Sequence, residues 1–155
     1  TGKEYNKKGE LVFDGEYVEG KRYNGTGKEY NFEKKLIFDG KYFKGKKWKG
    51  KAKEYNLFGT LTFDGEYILG NKKGKEYNDE GVLIFEGDYL IGTKWNGKIK
   101  EYRLDKLVFE GTLKDGKRNG FGKEYSSDGT LIFEGKYLNG QRVQNKTIKK
   151  ETKKI

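Results

Sequence analysis

A heptapeptide of the form Leu-x-Phe-acid-Gly-x-Tyr recurs six times in this chain, and this recurrence restricts the possible fold more than any other feature. The copies begin at Leu11, Leu36, Leu61, Leu83, Leu107 and Leu131. Only the fifth copy departs from the pattern, with Leu113 at the Tyr position, and a Gly follows three residues after every Tyr position. A unit of 22 to 25 residues is too small to bury an apolar face alone, so the period predicts a stacked repeat array.

Each copy contains two segments that alternate as β-strands do. In the first, strand A, Leu11, Phe13, Gly15 and Tyr17 share one parity and therefore one sheet face. The second, strand B, ends in Lys-Glu-Tyr six times, and short turns connect the two. No 3.6-residue apolar period competes with this alternation. The pattern predicts an all-β fold, an elongated, single-layer, twisted antiparallel β-meander of about 13 strands in stacked hairpins, with the Leu/Phe/Tyr face as its core.

The glycines and the Tyr that ends strand B allow predictions about individual turns and bulges. Gly9, Gly59, Gly81 and Gly129 lie two residues before a strand A and predict positive φ in a turn. The Gly inside strand A leaves room for an aromatic ring or another backbone. The Tyr that ends strand B falls out of parity with the strand B glycines, which predicts a β-bulge.

The first copy resembles the MORN repeat (membrane occupation and recognition nexus), whose pattern is aromatic-x-Gly-Glu-aromatic, two residues, Gly-Lys and then Gly-x-Gly. The matching residues are 13–21 and Gly25-Thr26-Gly27. Later copies depart from it, since Ala52 and Ile99 each replace a Gly and Gly74 stands alone. The resemblance extends over residues 1–145, as about six repeats with the first one partial, and residues 146–155 are predicted to form a capping strand and a frayed tail.

The resemblance implies a non-catalytic array in a cytoplasmic protein, in a scaffold, a dimerisation module, or a cytoskeletal, ciliary or membrane-associated segment. Phospholipid binding is often attributed to the family. The chain itself has no His and no Cys, which removes the commonest general base and the thiolate metal ligands. Its carboxylates recur with the repeat, whereas a catalytic site needs one asymmetric pocket. The sequence therefore predicts no enzyme, no cofactor, no metal site and no small-molecule substrate.

The net charge of +10 is distributed unevenly over the turns. The six A-to-B turns sum to +11, whereas the B-to-A turns sum to zero. Because alternate turns of a meander lie on opposite long edges, we predict one basic edge. Its lysines either keep the chain soluble and protect the sheet edge, or attract an acidic membrane, an acidic protein or nucleic acid. The predicted edge comprises Lys21, Arg22, Lys46, Lys47, Lys49, Lys72, Lys73, Lys94, Lys117, Arg118 and Arg142.

Three aromatic residues, Tyr23, Trp48 and Trp95, occupy matching positions in these basic turns. They are candidates for interface anchors, or for local core at the end of the sheet. The strand A residues that alternate with Phe13, and so point to the other face of the sheet, are also partly apolar. A single-layer sheet cannot cover both of its faces. The predicted outer apolar face comprises Val12, Val18, Ile37, Phe43, Ile84, Leu90, Ile132 and Leu138.

Three functions fit these features. The first is a non-catalytic scaffold that binds protein, including copies of itself, and the second is peripheral attachment to acidic phospholipid membranes through the basic edge. The third is a targeting module of a larger enzyme, since the chain lacks an initiator Met and starts within a repeat, which predicts a segment of a longer protein. Nucleic acid is disfavoured because no RNP-like or OB-fold signature is present.

Overall fold

The computed structural model describes residues 1–144, which form one 13-stranded antiparallel sheet with the strands in sequence order. The strands are β1 (Gly2–Tyr5), β2 (Leu11–Val18), β3 (Lys21–Tyr30), β4 (Leu36–Phe43), β5 (Lys46–Tyr55), β6 (Leu61–Ile68), β7 (Asn71–Tyr77), β8 (Leu83–Leu90), β9 (Thr93–Arg103), β10 (Lys106–Lys114), β11 (Lys117–Tyr125), β12 (Leu131–Leu138) and β13 (Gln141–Arg142). Even-numbered strands are A strands and odd-numbered strands are B strands. The predicted all-β, single-layer meander is confirmed, and the predicted cap at 146–155 lies outside the described residues.

The A-to-B turns are two-residue turns with both central residues at positive φ. In the first, Glu19 has φ 50° and Gly20 has φ 74°. Two left-handed residues are the requirement of a type I′ turn, whose twist matches that of paired strands. The fourth turn places β-branched Ile91 at φ 49°, a conformation that disfavours a branched side chain. The Gly three residues after each Tyr position is therefore the second residue of a hairpin turn.

Four of the six B-to-A turns follow a different pattern, built on an Asn side chain. The fifth, Leu104-Asp105, is again a two-residue turn at positive φ, and the sixth uses Ser126 in place of Asn. In the first, Oδ1 of Asn6 accepts hydrogen bonds from the backbone amides of Lys8 and Glu10, at 2.9 and 3.0 Å. The Asn6 carbonyl also accepts from the amide of Gly9 at 2.9 Å. The predicted positive φ is confirmed at all four glycines: Gly9 (79°), Gly59 (80°), Gly81 (79°) and Gly129 (88°).

A register shift occurs wherever a B strand meets the following A strand, as the parity of the strand B Tyr predicts. Glu29 pairs with Phe38, but Tyr30 pairs with Leu36, so Ile37 is the extra residue of a bulge. The same shift recurs in the other five B-to-A pairs. It also turns the first Leu of the A strand away from the core, and Leu36 is 41% exposed. The prediction that Leu joins Phe and Tyr in the core is therefore wrong for Leu11, Leu36, Leu83 and Leu131.

The core is a row of phenylalanine rings, one in each A strand. Phe13, Phe38, Phe63, Phe85 and Phe109 are all at most 2% exposed. The Phe13 ring lies over glycines, because a Cβ at Gly15 or Gly27 would approach the ring to 2.9 or 2.7 Å. Tyrosines meet these rings edge to face, as Tyr42 does with Phe38 at 5.3 Å between centroids. The predicted role of the strand A Gly is confirmed, and we name this side of the sheet the phenylalanine face.

Candidate functional site

Each core phenylalanine is covered by an ion pair formed between the two B strands that flank it. Above Phe38 in β4, the Lys47 Nζ atom lies 5.1 Å from the ring centroid. Lys47 belongs to β5 and pairs at 2.8 Å with Glu29 of β3. The pair therefore spans the intervening A strand and caps the ring, and a cation over a ring in a partly desolvated position contributes about 0.5–2 kcal/mol.

The same arrangement of a cation and a glutamate, which we name a lid, recurs over the core phenylalanine of each of the six A strands. The cations over successive rings, each with its glutamate, are Arg22 with Glu4, Lys47 with Glu29, Lys72 with Glu54, Lys94 with Glu76, Arg118 with Glu101, and Arg142 with Glu124. All six glutamates belong to the Lys-Glu-Tyr elements that end the B strands. The recurrence shows that these carboxylates hold the array together.

Tyrosines of the phenylalanine face add a third member to four of these lids. The Tyr42 hydroxyl donates to Glu29 at 2.5 Å, and Tyr17, Tyr89 and Tyr137 donate in the same way to Glu4, Glu76 and Glu124. Burial and the hydrogen bond to Glu29 raise the pKa of Tyr42 far above its usual value. Burial alone would raise the pKa of Glu29, but the Lys47 and Tyr42 hydrogen bonds outweigh it and lower the pKa. The carboxylate is therefore held ionised and fully paired.

The lids divide the predicted basic edge into two groups. Six of its eleven cations lie on the phenylalanine face inside the lids: Arg22, Lys47, Lys72, Lys94, Arg118 and Arg142. Lys73 pairs with Asp88 at 3.5 Å on the other side of the sheet. Within residues 1–144, the remaining four, Lys21, Lys46, Lys49 and Lys117, have no acidic partner within 4.0 Å. These four are exposed and available to a partner.

The predicted interface aromatics pack against their own sheet. The Trp48 ring lies 5.1 Å from that of Phe43, and a Cβ at Gly70 would come within 3.3 Å of it. Trp95 covers Gly116 in the same way, at 3.4 Å. Tyr23 occupies the equivalent position of the first repeat, and its carbonyl accepts a hydrogen bond from the Gly45 amide at 2.8 Å. All three are half-buried, so their main contacts join one hairpin turn to the next.

The predicted outer apolar face divides by position along the A strand. Its members near the strand start are covered, since Val12 is only 7% exposed and Ile37 and Ile84 are half-buried. Val12 therefore contradicts the prediction of an open position, whereas Ile132 in the last A strand is 54% exposed. The residues at the strand ends are open: Val18 (48%), Phe43 (43%), Leu90 (39%) and Leu138 (59%), with Ile68 (42%) as the equivalent residue of β6. We name these five residues the strand-end row.

Charged residues fill the middle of this opposite face. Lys28 of β3 lies opposite Asp39 of β4 in the register, with 4.0 Å between the charged atoms. Equivalent pairs join Lys3 to Asp14, Lys53 to Asp64, Lys75 to Glu86, and Lys123 to Glu134, at 3.7–3.9 Å. Exposed pairs of this kind contribute at most about 1 kcal/mol each. They fix the register while leaving the strand-end row uncovered.

Two features of the surface have no counterpart in the sequence predictions. Apolar side chains occupy the B-to-A turn tips, where Leu57 and Phe58 are 88% and 92% exposed and Leu104 is 91% exposed. In addition, the lid cation always follows the A-to-B turn glycine by two residues, as Lys47 follows Gly45. That fixed spacing identifies the lid cations, whereas a charge total over the whole turn does not.

The remaining observations concern ligands and relatives. Within residues 1–144 no group of three Asp or Glu side chains converges as a metal site would require, and no helix there is long and apolar enough to cross a membrane. A shallow depression of about 350 Å³ crosses β8 to β11 and includes Ile84, Thr112 and Phe121 in its lining. No protein-family model matches the chain, and no relative is found among the curated proteins.

Proposed function

We propose that this chain is a non-catalytic scaffold of the MORN type that binds protein partners, including copies of itself, through the strand-end row. The observation that supports the proposal is that five equivalent positions are apolar and 39–59% exposed. Each of them could be polar without disturbing the phenylalanine core, so the core does not explain their apolar character. Successive A strands lie two strand spacings apart, so the row repeats about every 10 Å, except at β10, where Lys114 takes the equivalent position. A partner that presents an apolar face with the same period, such as a second sheet of this kind, fits it.

The state of the titratable groups supports the non-catalytic part of this proposal. The glutamates of the phenylalanine face with lowered pKa values, Glu4, Glu29 and Glu124, are each engaged by a cation and a tyrosine. A general acid or base needs a free position and a pKa near the working pH, and these carboxylates have neither. Their repetition along the array also differs from the single asymmetric pocket of an active site.

The experiment compares the association of two variants by sedimentation velocity over a range of protein concentrations. Phe43→Ser combined with Leu90→Ser and Leu138→Ser removes three members of the strand-end row, and we expect it to sediment as a monomer where the parent chain associates. The matched control, Leu57→Ser with Phe58→Ser and Leu104→Ser, removes three more exposed apolar residues from the other long edge of the sheet. We expect the control to associate like the parent chain.

Two results would overturn the self-association part of this proposal. One is a parent chain that stays monomeric at every concentration and crosslinks to no second copy. The other is loss of association in the loop control with the row variant unchanged, which would move the interface to the B-to-A turns. Circular dichroism of both variants checks that the sheet is retained, as expected for substitutions at positions that are 39–92% exposed.

A further inference from the structure

The second repeat carries a concentration of lysine that the rest of the sheet lacks. Residues 41–51 contain six lysines and no acidic residue. Lys47 is used in the lid over Phe38. The other five, Lys41, Lys44, Lys46, Lys49 and Lys51, are exposed and have no acidic partner within 4.0 Å among the described residues. We name these five the lysine patch.

The centre of the patch is a pair of like charges. Lys41 of β4 lies directly opposite Lys49 of β5 in the register. At the equivalent pairs of the first and third repeats no like charges meet: Glu16 faces Asn24 and accepts its hydrogen bond at 2.7 Å, and Glu66 faces Lys73. Directly opposed like charges destabilise a sheet. The described residues contain two other such pairs, Lys114 with Lys117 and Arg103 with Lys106, but each flanks a two-residue turn at the strand ends.

We propose that the lysine patch is the docking site for an acidic segment of a partner protein, with carboxylates of that segment lying between Lys41 and Lys49. This inference rests on the proposed scaffold function and specifies the chemistry of one partner. An apolar contact is available beside the charges, because Phe43 is 43% exposed and its ring lies under Lys44 Nζ at 5.3 Å. Acidic residues with an intervening aliphatic or aromatic side chain match that arrangement.

The geometry favours a narrow acidic chain over a membrane surface. Lys41, Lys49 and Lys51 lie within strands on the sheet surface, and only Lys44 lies in the turn. Acidic residues also border the patch, since Glu16 lies in the preceding A strand and Glu66, in the following A strand, lies opposite Lys51 in the register. A flat anionic surface that covers the whole face would meet these carboxylates, while an extended segment avoids them.

The test measures binding of a fluorescent peptide by anisotropy. The probe alternates Glu and Leu over about ten residues, about 33 Å when extended, and its control peptide has Gln in place of Glu. We expect Lys41→Glu with Lys49→Glu to weaken binding of the acidic peptide at least about 10-fold. The control variant, Lys7→Glu with Lys8→Glu in the first B-to-A turn, has the same net charge and we expect it to bind within about 3-fold of the parent chain.

Each remaining outcome overturns the assignment. Equal weakening in the two variants would show a response to net charge alone, and equal binding of the Gln peptide would show that charge is not recognised. Tighter, patch-dependent binding of phosphatidylserine vesicles or of a single-stranded oligonucleotide would assign the patch to lipid or nucleic acid. If the acidic peptide does not bind the parent chain, the patch is not this site, while the sedimentation experiment on the strand-end row still decides the scaffold function separately.

Discussion

Phe63→Ala should divide the array into two separately unfolding halves. Phe63 is 2% exposed, and its replacement removes the edge-to-face contact with Tyr89, at 6.2 Å, and the ring under Lys72 Nζ, at 4.8 Å. A buried Phe→Ala change costs about 3–5 kcal/mol, a large share of the roughly 5–15 kcal/mol that holds a domain folded. In a repeat array the loss falls on the interface between neighbouring units. Trp48 lies before this position and Trp95 after it, so their fluorescence reports on each half.

The assay is urea unfolding of single-tryptophan chains, Trp48→Phe or Trp95→Phe, with and without the Phe63→Ala change. We expect coincident transitions in the parent background and two different midpoints in the variant. The control is Leu57→Ala in the turn before the same A strand, which is 88% exposed and should shift stability by less than about 0.5 kcal/mol. Coincident curves with a loss below about 1 kcal/mol would refute the view that the phenylalanine row couples the repeats.

Three further changes test the turns, the strand glycines and the lids. Ile91→Gly should raise the free energy of unfolding by about 1 kcal/mol because it relieves a branched residue at φ 49°; thermal unfolding checks this, and no gain would contradict it. Gly40→Ala should lower the free energy of unfolding by about 1–3 kcal/mol, since the added Cβ would lie 2.6 Å from the Gly50 Cα atom. An unchanged midpoint of thermal unfolding would show that the two strands can separate to accept the methyl group. Glu124→Gln should destabilise the chain at neutral pH. The Arg142 hydrogen bond lowers the pKa of Glu124 below its ordinary 4.5, so this carboxylate stabilises the fold above that pH and stops doing so as pH falls through the lowered pKa. The difference in Tm between parent and variant should therefore shrink below pH 4.5, and a constant difference would exclude this titration as the cause.

The sequence predicts the sheet well because the determinants of a hairpin array are local. A Gly three residues after each Tyr position marks the type I′ turn, and the Tyr of strand B marks the bulge because it is out of parity with the strand B glycines. What parity alone does not show is how the bulge rotates the residues beside it. Leu36 shares the parity of Phe38 but lies beyond the register shift, and it is therefore 41% exposed rather than buried.

The lids show why summed turn charge is a poor guide to a free surface. Lys46 and Lys47 are neighbours in one turn and contribute equally to its charge. Because successive side chains of a strand point to opposite faces, Lys47 lies on the phenylalanine face, where it pairs with Glu29, and Lys46 is exposed opposite Phe43. The partner of Lys47 is 18 residues away in sequence, so only the pairing of β3, β4 and β5 brings the two charges together.

The two faces of the sheet thus stand under different constraints. On the phenylalanine face every core phenylalanine has a Lys or Arg and a glutamate from its flanking B strands. A change at Lys47 would remove the cation from both Glu29 and Phe38. On the opposite face the position of Lys41 holds Glu in the first and third repeats and Asp in the fourth. Substitution there costs the fold little, at most about 1 kcal/mol per cross-strand pair. If the proposed scaffold binds through this face, it can change partners by varying this face alone, and the like-charge pair of Lys41 and Lys49 is a departure that the fold does not require.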